Sequence, residues 1–362
     1  MLRAARRNFS RRPLSVICPP YICRMQLYKD HDLRHLNSFG ISVQCKYLID
    51  IHDENELPRA VDMAMHFGLP YLILGGGSNM LFTRDYAGTI IRLCIEGITA
   101  EEQGDEVLVT AGAGVVWNQL VQHCVANGWG GIENLALIPG TVGASPIQNI
   151  GAYGVELQDV FESLRGLHVD QGFLEFDKKG CQFGYRQSIF KSDLRNRFIV
   201  SSVTLRLSKK PQLKLHYGAI QEELTRRGIA EPSIADVADV VSSIRVSKLP
   251  DPATIGNAGS FFKNPELPEE TFQRLKINHP DLVGYPAGDG VVKVSAAWMI
   301  EACGWKGKVV GHTGTYARHA LVLVNHGEAT GAEILAFARQ VQYSVYERFG
   351  VAIEPEVNVI GS

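Results

Sequence analysis

Two glycine-rich segments constrain the fold of this 362-residue sequence more than any other feature. The first, Gly75-Gly76-Gly77-Ser78-Asn79, follows directly on YLIL (71–74), which is typical of a buried strand. The second, 134–154, contains too much glycine and proline for a regular helix or strand. A long irregular loop inside a compact domain is usually functional, and glycine backbone can approach a ligand closely. We therefore predict that these segments bind a ligand.

The glycine spacing excludes two common nucleotide-binding folds. None of three glycine clusters matches the GxGxxG motif, because Met80, Trp117 and Glu133 stand where the third glycine is required. No GxxxxGK[ST] motif is present either. The unshielded N–H groups of 75–79 and 140–151 still suit a pyrophosphate. The alternative for any single cluster is an ordinary tight turn.

Composition narrows the class of protein further. With 45% hydrophobic and 20% charged residues, the chain matches a globular protein of two or three domains. No apolar run approaches the roughly 20 residues of a membrane-spanning helix, so we expect no membrane insertion. The net charge is −2 and no basic stripe is visible, so we expect no nucleic-acid partner.

The first 24 residues differ from the rest, because they contain six arginines and no acid. A transit peptide is one interpretation, but Pro13 and Pro19-Pro20 interrupt the segment, which shows no cleavage site. We favour an unstructured N-terminal extension over 1–30, or a chain whose functional start is Met25. A protein that begins at Met25 is then expected to fold and to keep its activity.

Seven scattered cysteines, with no zinc-site spacing, argue against a disulfide framework and a structural metal. We predict reduced thiols, no metal site and a cytoplasmic protein.

Strand-like and helix-like segments alternate along the chain, which predicts an α+β fold. Asp53 with Glu56 forms a capping box before a helix with Leu57, Val61 and Met65 inward. Thr330 with Glu333 forms another, and that helix is expected to bury Ile334, Phe337, Val341, Val345 and Phe349. Further helices are predicted at 117–127 and 296–303. Further strands are predicted at 107–110, 199–207, 320–324 and 351–360.

Five motifs, in order, carry a resemblance to a known family: LILGGGSN (72–79), IPGTVGASPIQNIGAYG (138–154), FGYRQSIFK (183–191), GNAGSFFKNP (256–265) and EPEV (354–357). The chain resembles UDP-N-acetylenolpyruvoylglucosamine reductases from about Leu36 to Ile360. Those bacterial enzymes of peptidoglycan synthesis bind FAD in the fold of vanillyl-alcohol oxidase and p-cresol methylhydroxylase. The resemblance implies a cytoplasmic flavoprotein oxidoreductase, expected to be a monomer, of the longer type with a tyrosine loop.

The resemblance also implies a domain organisation. An FAD-binding domain of two subdomains is expected at 31–210, with 351–362 as a candidate for its last strand. A connecting segment with the tyrosine loop follows at 211–250, and a smaller α+β substrate-binding domain at 251–350.

The implied reaction reduces the enolpyruvyl group of UDP-N-acetylglucosamine enolpyruvate to UDP-N-acetylmuramate, with NADPH as co-substrate and FAD as the hydride carrier. Negative charge then builds beside the substrate carboxylate, and the adjacent carbon needs a proton. By resemblance, Arg186 holds that carboxylate, Ser260 donates the proton, and Glu356 helps to polarise the substrate. The guanidinium of Arg186 suits the binding of the substrate carboxylate, because guanidinium groups bind carboxylates bidentately and stay charged.

The resemblance assigns binding residues as well. FAD contacts are expected from Gly75, Gly76, Gly77, Ser78, Asn79, Pro139, Gly140, Thr141, Gly143, Ala144, Ile147, Gly151 and Ala152. Substrate contacts are expected from Tyr185, Tyr217, Lys248, Asn264, Tyr285, Lys293 and Lys306. Asn358 stands where many relatives have a basic residue, so no electrostatic help is expected there.

Two alternatives stay open at this point. A flavin oxidase of the same fold often holds FAD through a histidine near the glycine turn, and 75–79 contains none. A non-catalytic flavin-binding module would bind FAD without UDP-sugar-dependent oxidation of NADPH.

Overall fold

The structure, a computed structural model, describes residues 25–361, which form an α+β fold. The strands are β1 (Gln26–Asp32), β2 (Gln44–Ile51), β3 (Tyr71–Leu74), β4 (Met80–Phe82), β5 (Tyr86–Leu93), β6 (Ile98–Gln103), β7 (Glu106–Gly112), β8 (Gly151–Ala152), β9 (Val155–Glu156), β10 (Phe161–His168), β11 (Gly172–Asp177), β12 (Phe198–Ser208), β13 (Gly256–Ser260), β14 (Glu266–Pro268), β15 (Gly284–Pro286), β16 (Val291–Val294), β17 (Val309–Val310), β18 (Thr313–Tyr316), β19 (His319–Asn325) and β20 (Asn358–Ile360). The helices are α1 (Leu57–His66), α2 (Trp117–Ala126), α3 (Gly218–Arg227), α4 (Ile234–Lys248), α5 (Glu269–Asn278), α6 (Ala296–Ala302) and α7 (Gly331–Phe349). None of the helices in the described part of the chain has both the length and the apolar character needed to cross a membrane.

A mixed four-stranded sheet with the order β1-β2-β5-β3 forms the first layer. Strands β2, β5 and β3 run parallel, whereas β1 is antiparallel to β2. One face of the sheet buries Ile49 and Ile91 against Leu57 and Val61 of α1. Strand β3 ends at Leu74, so the glycine turn begins at the carboxyl end of a parallel strand, where α/β sheets bind ligands.

An antiparallel five-stranded sheet with the order β11-β10-β12-β7-β6 forms the second layer. Helices α2, α3 and α4 pack in its core through apolar residues that include Leu120, Ile220 and Val240. The sequence led us to expect only a connecting segment at 211–250. In the structure these residues also contribute to this core.

The C-terminal part contains the antiparallel sheets β13-β19-β18-β17 and β14-β16-β15 together with α5, α6 and α7. Its apolar residues share one core with the first layer: Phe39 and Leu48 belong to the same cluster as Phe261, Phe337 and Val341. Near the boundary predicted at residue 251, the chain passes from the core of the second layer, which ends at Ile244, to this shared core, which resumes at Ala258.

The chain finally returns to the glycine turn. Strand β20 pairs in parallel with β4, with Asn358 opposite Met80. The Asn358 N–H donates to the Asn79 carbonyl over 3.1 Å. The returning segment thus holds the end of the glycine turn in place.

Three sequence predictions need correction. Residues 26–30 are not unstructured, because they belong to β1, which is hydrogen-bonded along β2; residues 1–24 lie outside the described residues. Met65 is 51% exposed, because the apolar face of α1 continues through Ala64. The last strand is confined to Asn358–Ile360, since Pro355 has no N–H for a continuous ladder.

Other local predictions are confirmed. The Thr330 and Glu333 side chains form the capping box of α7, which buries all five expected apolar residues. Cys45, Cys94, Cys124, Cys181 and Cys303 are free thiols, while Cys18 and Cys23 lie outside the described residues. Burial raises the pKa of Cys45, Cys124 and Cys181 to about 12, so these thiols are uncharged at neutral pH.

Candidate active site

A cleft of about 320 Å³ lies where the two glycine segments meet. Residues from distant parts of the chain line it, including Ile73, Gly75, Gly76, Gly77, Ser78, Asn79, Trp117, Pro139, Gly140, Thr141, Ala144, Ile147, Gln148, Gly151, Arg186, Lys191, Arg245, Ser260, Glu356 and Asn358. It brings together all three predicted catalytic residues and most of the predicted cofactor residues.

Unpaired backbone N–H groups line one end of this cleft. The five N–H groups of 75–79 have no acceptor within residues 25–361, and the same holds for Gly140 and Thr141. A Cβ at Gly76 would lie 3.1 Å from the Gly140 Cα, so the two segments touch through bare backbone. The Thr141 Oγ1 is also buried without a partner. Orphaned donors in this arrangement fit a pyrophosphate, so the residues present fit FAD.

Two predicted cofactor residues lie elsewhere. The Gly143 N–H donates to the Ala113 carbonyl, and a Cβ there would lie 2.5 Å from the Ala113 Cβ. Gly143 is therefore required for packing between loops, and its N–H is not available to a phosphate. Ala152 pairs with Val155 in the hairpin of β8 and β9 and does not line the cleft.

Arg186 dominates the charged end of the cleft, which borders the glycine turn where Asn79 contacts Glu356. Its backbone is left-handed, with φ of 53°, which is uncommon for a residue other than glycine. Its Nη2 donates to the Gly151 carbonyl over 2.8 Å, and its Nε lies 3.2 Å from Glu356 Oε1. The two contacts fix the guanidinium in one orientation.

Glu356 lies beside both the arginine and the serine. Its N–H donates to the Phe261 carbonyl over 2.8 Å, which places it next to the residue that follows Ser260. Its carboxylate accepts from Gln148 Nε2 at 3.2 Å. Burial raises the pKa of Glu356 above its usual value, although Arg186 and Lys191 act in the opposite direction.

Ser260 ends β13, directly after Gly259, whose φ is +67°. Its side chain lines the cleft. Its Oγ has no hydrogen-bond partner within residues 25–361.

Four of the predicted substrate residues form a group of aromatic and cationic side chains. Lys293 Nζ lies 3.6 Å from the centre of the Tyr185 ring. The Tyr217 ring packs edge-on against Tyr153, and burial together with the nearby Tyr285 raises the pKa of Tyr217. None of the four lines the cleft itself.

Of the other three predicted substrate residues, Lys306 and Asn264 already have structural contacts. Lys306 forms an ion pair with Glu301 over 2.9 Å, and the Asn264 Oδ1 accepts from the N–H of Ala296 at the start of α6. Lys248 lies near His319. Burial lowers the pKa of His319, and the positive charges of Lys248 and Lys306 lower it further. Binding by any of the seven stays a prediction.

Several residues of the cleft were not found from the sequence. Lys191 donates to the Arg186 carbonyl over 3.2 Å, and its position at the end of the FGYRQSIFK motif was an available signal. Arg245 comes from the last turn of α4, three residues before Lys248, where no motif marked it. Asn358 supplies no charge, but its Nδ2 donates to the Asn79 carbonyl and so supports the glycine turn.

The fold and the cleft define an FAD-binding oxidoreductase, and a model described as "FAD binding domain" matches residues 45–171. A model described as "UDP-N-acetylenolpyruvoylglucosamine reductase, C-terminal domain" matches residues 251–360. The chain is 48% identical to a Pseudomonas aeruginosa protein named UDP-N-acetylenolpyruvoylglucosamine reductase, over 92% of this chain and 99% of the relative. A protein of the same name from Chromobacterium violaceum is 47% identical, over 92% of this chain and 98% of the relative.

A crystal structure of the reductase from Thermus caldophilus is similar with a TM-score of 0.65 and 25% identity, over 93% of this chain and 98% of that one. The chain belongs to the UDP-N-acetylenolpyruvoylglucosamine reductase family. The predictions of family, fold class, enzyme class and FAD are thereby confirmed.

Proposed function

We propose that this chain reduces the enolpyruvyl group of UDP-N-acetylglucosamine enolpyruvate to UDP-N-acetylmuramate, with NADPH as reductant, in the synthesis of peptidoglycan precursors. Family membership supports the reaction, and it favours a reductase over a flavin oxidase or a non-catalytic module. When bound, FAD would supply the transfer of a hydride from NADPH to the terminal carbon of the double bond. We also propose action in the cytoplasm as a monomer.

The observation that carries the proposal is the meeting of Arg186, Ser260 and Glu356 in one cleft. These residues lie on three separate segments, and no local motif requires them to be neighbours. Reduction of an alkene beside a carboxylate needs a fixed cation and a proton donor. Arg186 is the cation, and its bond to the Gly151 carbonyl orients it before the substrate arrives.

Ser260 donates the proton to the carbon beside the carboxylate. Its Oγ is free of competing hydrogen bonds within residues 25–361, so it can turn toward the substrate. Glu356 is held by Arg186 and Gln148 and polarises the reacting group. The N–H groups of 75–79 bind the pyrophosphate of FAD.

Separate timing of the two half-reactions tests this assignment. We expect Ser260→Ala to leave reduction of the flavin by NADPH almost unchanged, while reoxidation by the enolpyruvyl substrate slows by about 10² to 10⁴-fold. Stopped-flow absorbance of the flavin measures both steps. Ser242→Ala is the control, since among residues 25–361 the Ser242 hydroxyl bonds only the Ala238 carbonyl inside α4. Equal slowing of both steps, or of neither, would make Ser260 a structural turn residue.

A further inference from the structure

Arg245 brings a charge to the cleft that the proposed reaction does not use. It lies in the last turn of α4, and its side chain lines the cleft. No carboxylate within residues 25–361 pairs with it, and its Nε is buried without an acceptor. Its side-chain hydrogen bond is with Tyr153.

An unpaired buried cation is costly to a folded protein. A guanidinium cannot remove that cost by losing its proton, because it stays charged in proteins. The other arginine of the cleft, Arg186, has Glu356 as a partner. The charge of Arg245 therefore calls for an anionic group that enters the cleft from outside the chain.

The contacts of Arg245 place it toward the reactive end of the cleft. Its partner Tyr153 follows β8, and Gly151 of that strand accepts the hydrogen bond from Arg186. The pyrophosphate already has the free N–H groups of 75–79, Gly140 and Thr141. The group left for Arg245 is the ring system of the cofactor.

We propose that Arg245 stabilises the negative charge that the flavin ring of FAD gains on reduction. A hydride brings two electrons and one proton, so its addition to the neutral oxidised ring leaves the reduced ring with one extra negative charge. Arg245 transfers no proton and balances this charge through space or by a hydrogen bond, in the way that charges near the ring tune flavin electronics. The inference rests on FAD binding as in the proposed function, but not on the UDP-sugar.

The test compares the affinity for oxidised FAD with the reduction potential of bound FAD. Potentials are measured against a reference dye with a chemical reductant, in the absence of NADPH and UDP-sugar. We expect Arg245→Gln to weaken binding of reduced FAD at least tenfold more than that of oxidised FAD, a fall of about 30 mV for a two-electron couple. The dissociation constant for oxidised FAD should change less than about threefold. Arg226→Gln, which removes the same charge from the exposed side of α3, should leave the potential unchanged.

Each other result overturns the proposal. Equal weakening of both redox forms, or failure of folded Arg245→Gln to take up oxidised FAD, would assign the guanidinium to the pyrophosphate. An unchanged potential would show that the guanidinium does not act on the flavin ring. If Arg245→Gln does not fold, Arg245→Lys decides: a smaller fall in potential with oxidised FAD still bound supports the proposal, and an unchanged potential overturns it. Because no UDP-sugar is present, a wrong substrate assignment would leave these measurements unaffected.

Discussion

The glycine end and the charged end of the cleft differ in the groups that they offer to a ligand. The glycine end offers backbone N–H groups from 75–79 and 140–141, and it carries no side-chain charge. The charged end depends on side chains, among them Arg186, Glu356 and Lys191. Backbone donors hold a group that stays the same throughout the reaction, whereas charged side chains act on groups whose charge changes. Substitutions at the two ends should therefore fail in different ways.

The largest effect is expected at the glycine end. In Gly76→Val, the Cβ would press on the Gly140 Cα and the branched side chain would force the two segments apart, so the protein should purify colourless and without FAD. The visible absorbance of the purified protein measures this. Gly218→Ala is the control, because a Cβ there meets nothing within 4 Å. Stoichiometric FAD in Gly76→Val would show that the glycine end is not the cradle.

At the charged end, loss of a side chain should spare the cofactor and slow one step. We expect Arg186→Gln to keep its FAD and to slow reoxidation by the enolpyruvyl substrate by about 10² to 10³-fold, because the developing charge loses its fixed cation. Stopped-flow absorbance measures the rate. Arg206→Gln, at an exposed ion pair with Glu162, should behave like the wild type. Loss of FAD from Arg186→Gln would contradict the division of the cleft into two ends.

Gly151→Ala probes a glycine that serves the charged end. The added Cβ would lie 2.9 Å from Glu156 Cγ, 3.1 Å from the Val155 carbonyl oxygen and 3.2 Å from Arg186 Nη1, so the hairpin and the guanidinium must both shift slightly. We expect full FAD content and reoxidation slowed by about tenfold, since misplacement of a positioned group costs rate. Gly184→Ala, where a Cβ meets only Gln187 at 3.7 Å, is the control. An apo protein would instead place Gly151 at the cofactor end.

The smallest effect concerns pH. Because burial raises the pKa of Glu356, its carboxylate is lost at a higher pH than that of an ordinary glutamate as the solution is acidified. Reoxidation should therefore begin to fall, with decreasing pH, above the usual glutamate range. In Glu356→Gln this acid limb should be absent while the rate is lower throughout. A limb that persists in the variant would belong to another group.

The sequence revealed the glycine end better than the charged end, for a physical reason. A cradle made of backbone needs consecutive residues without side chains, so 75–79 can be recognised locally. Arg245 stands in α4, where no motif marks it, and only tertiary packing shows that it lines the cleft without a carboxylate partner among residues 25–361. Gly143 shows the converse, because a glycine in the right motif can be required for loop packing alone.

The return of β20 to β4 also sets the order in which the site can be completed during synthesis. Asn358 bonds to Asn79, and Asn79 Nδ2 in turn donates to the Glu356 carbonyl. A nascent chain that has released only its first half from the ribosome has the glycine turn but neither Glu356 nor this clamp. The cleft is therefore finished only after residues 356–360 have emerged and joined the glycine turn, so cofactor capture in its final form must wait for that segment.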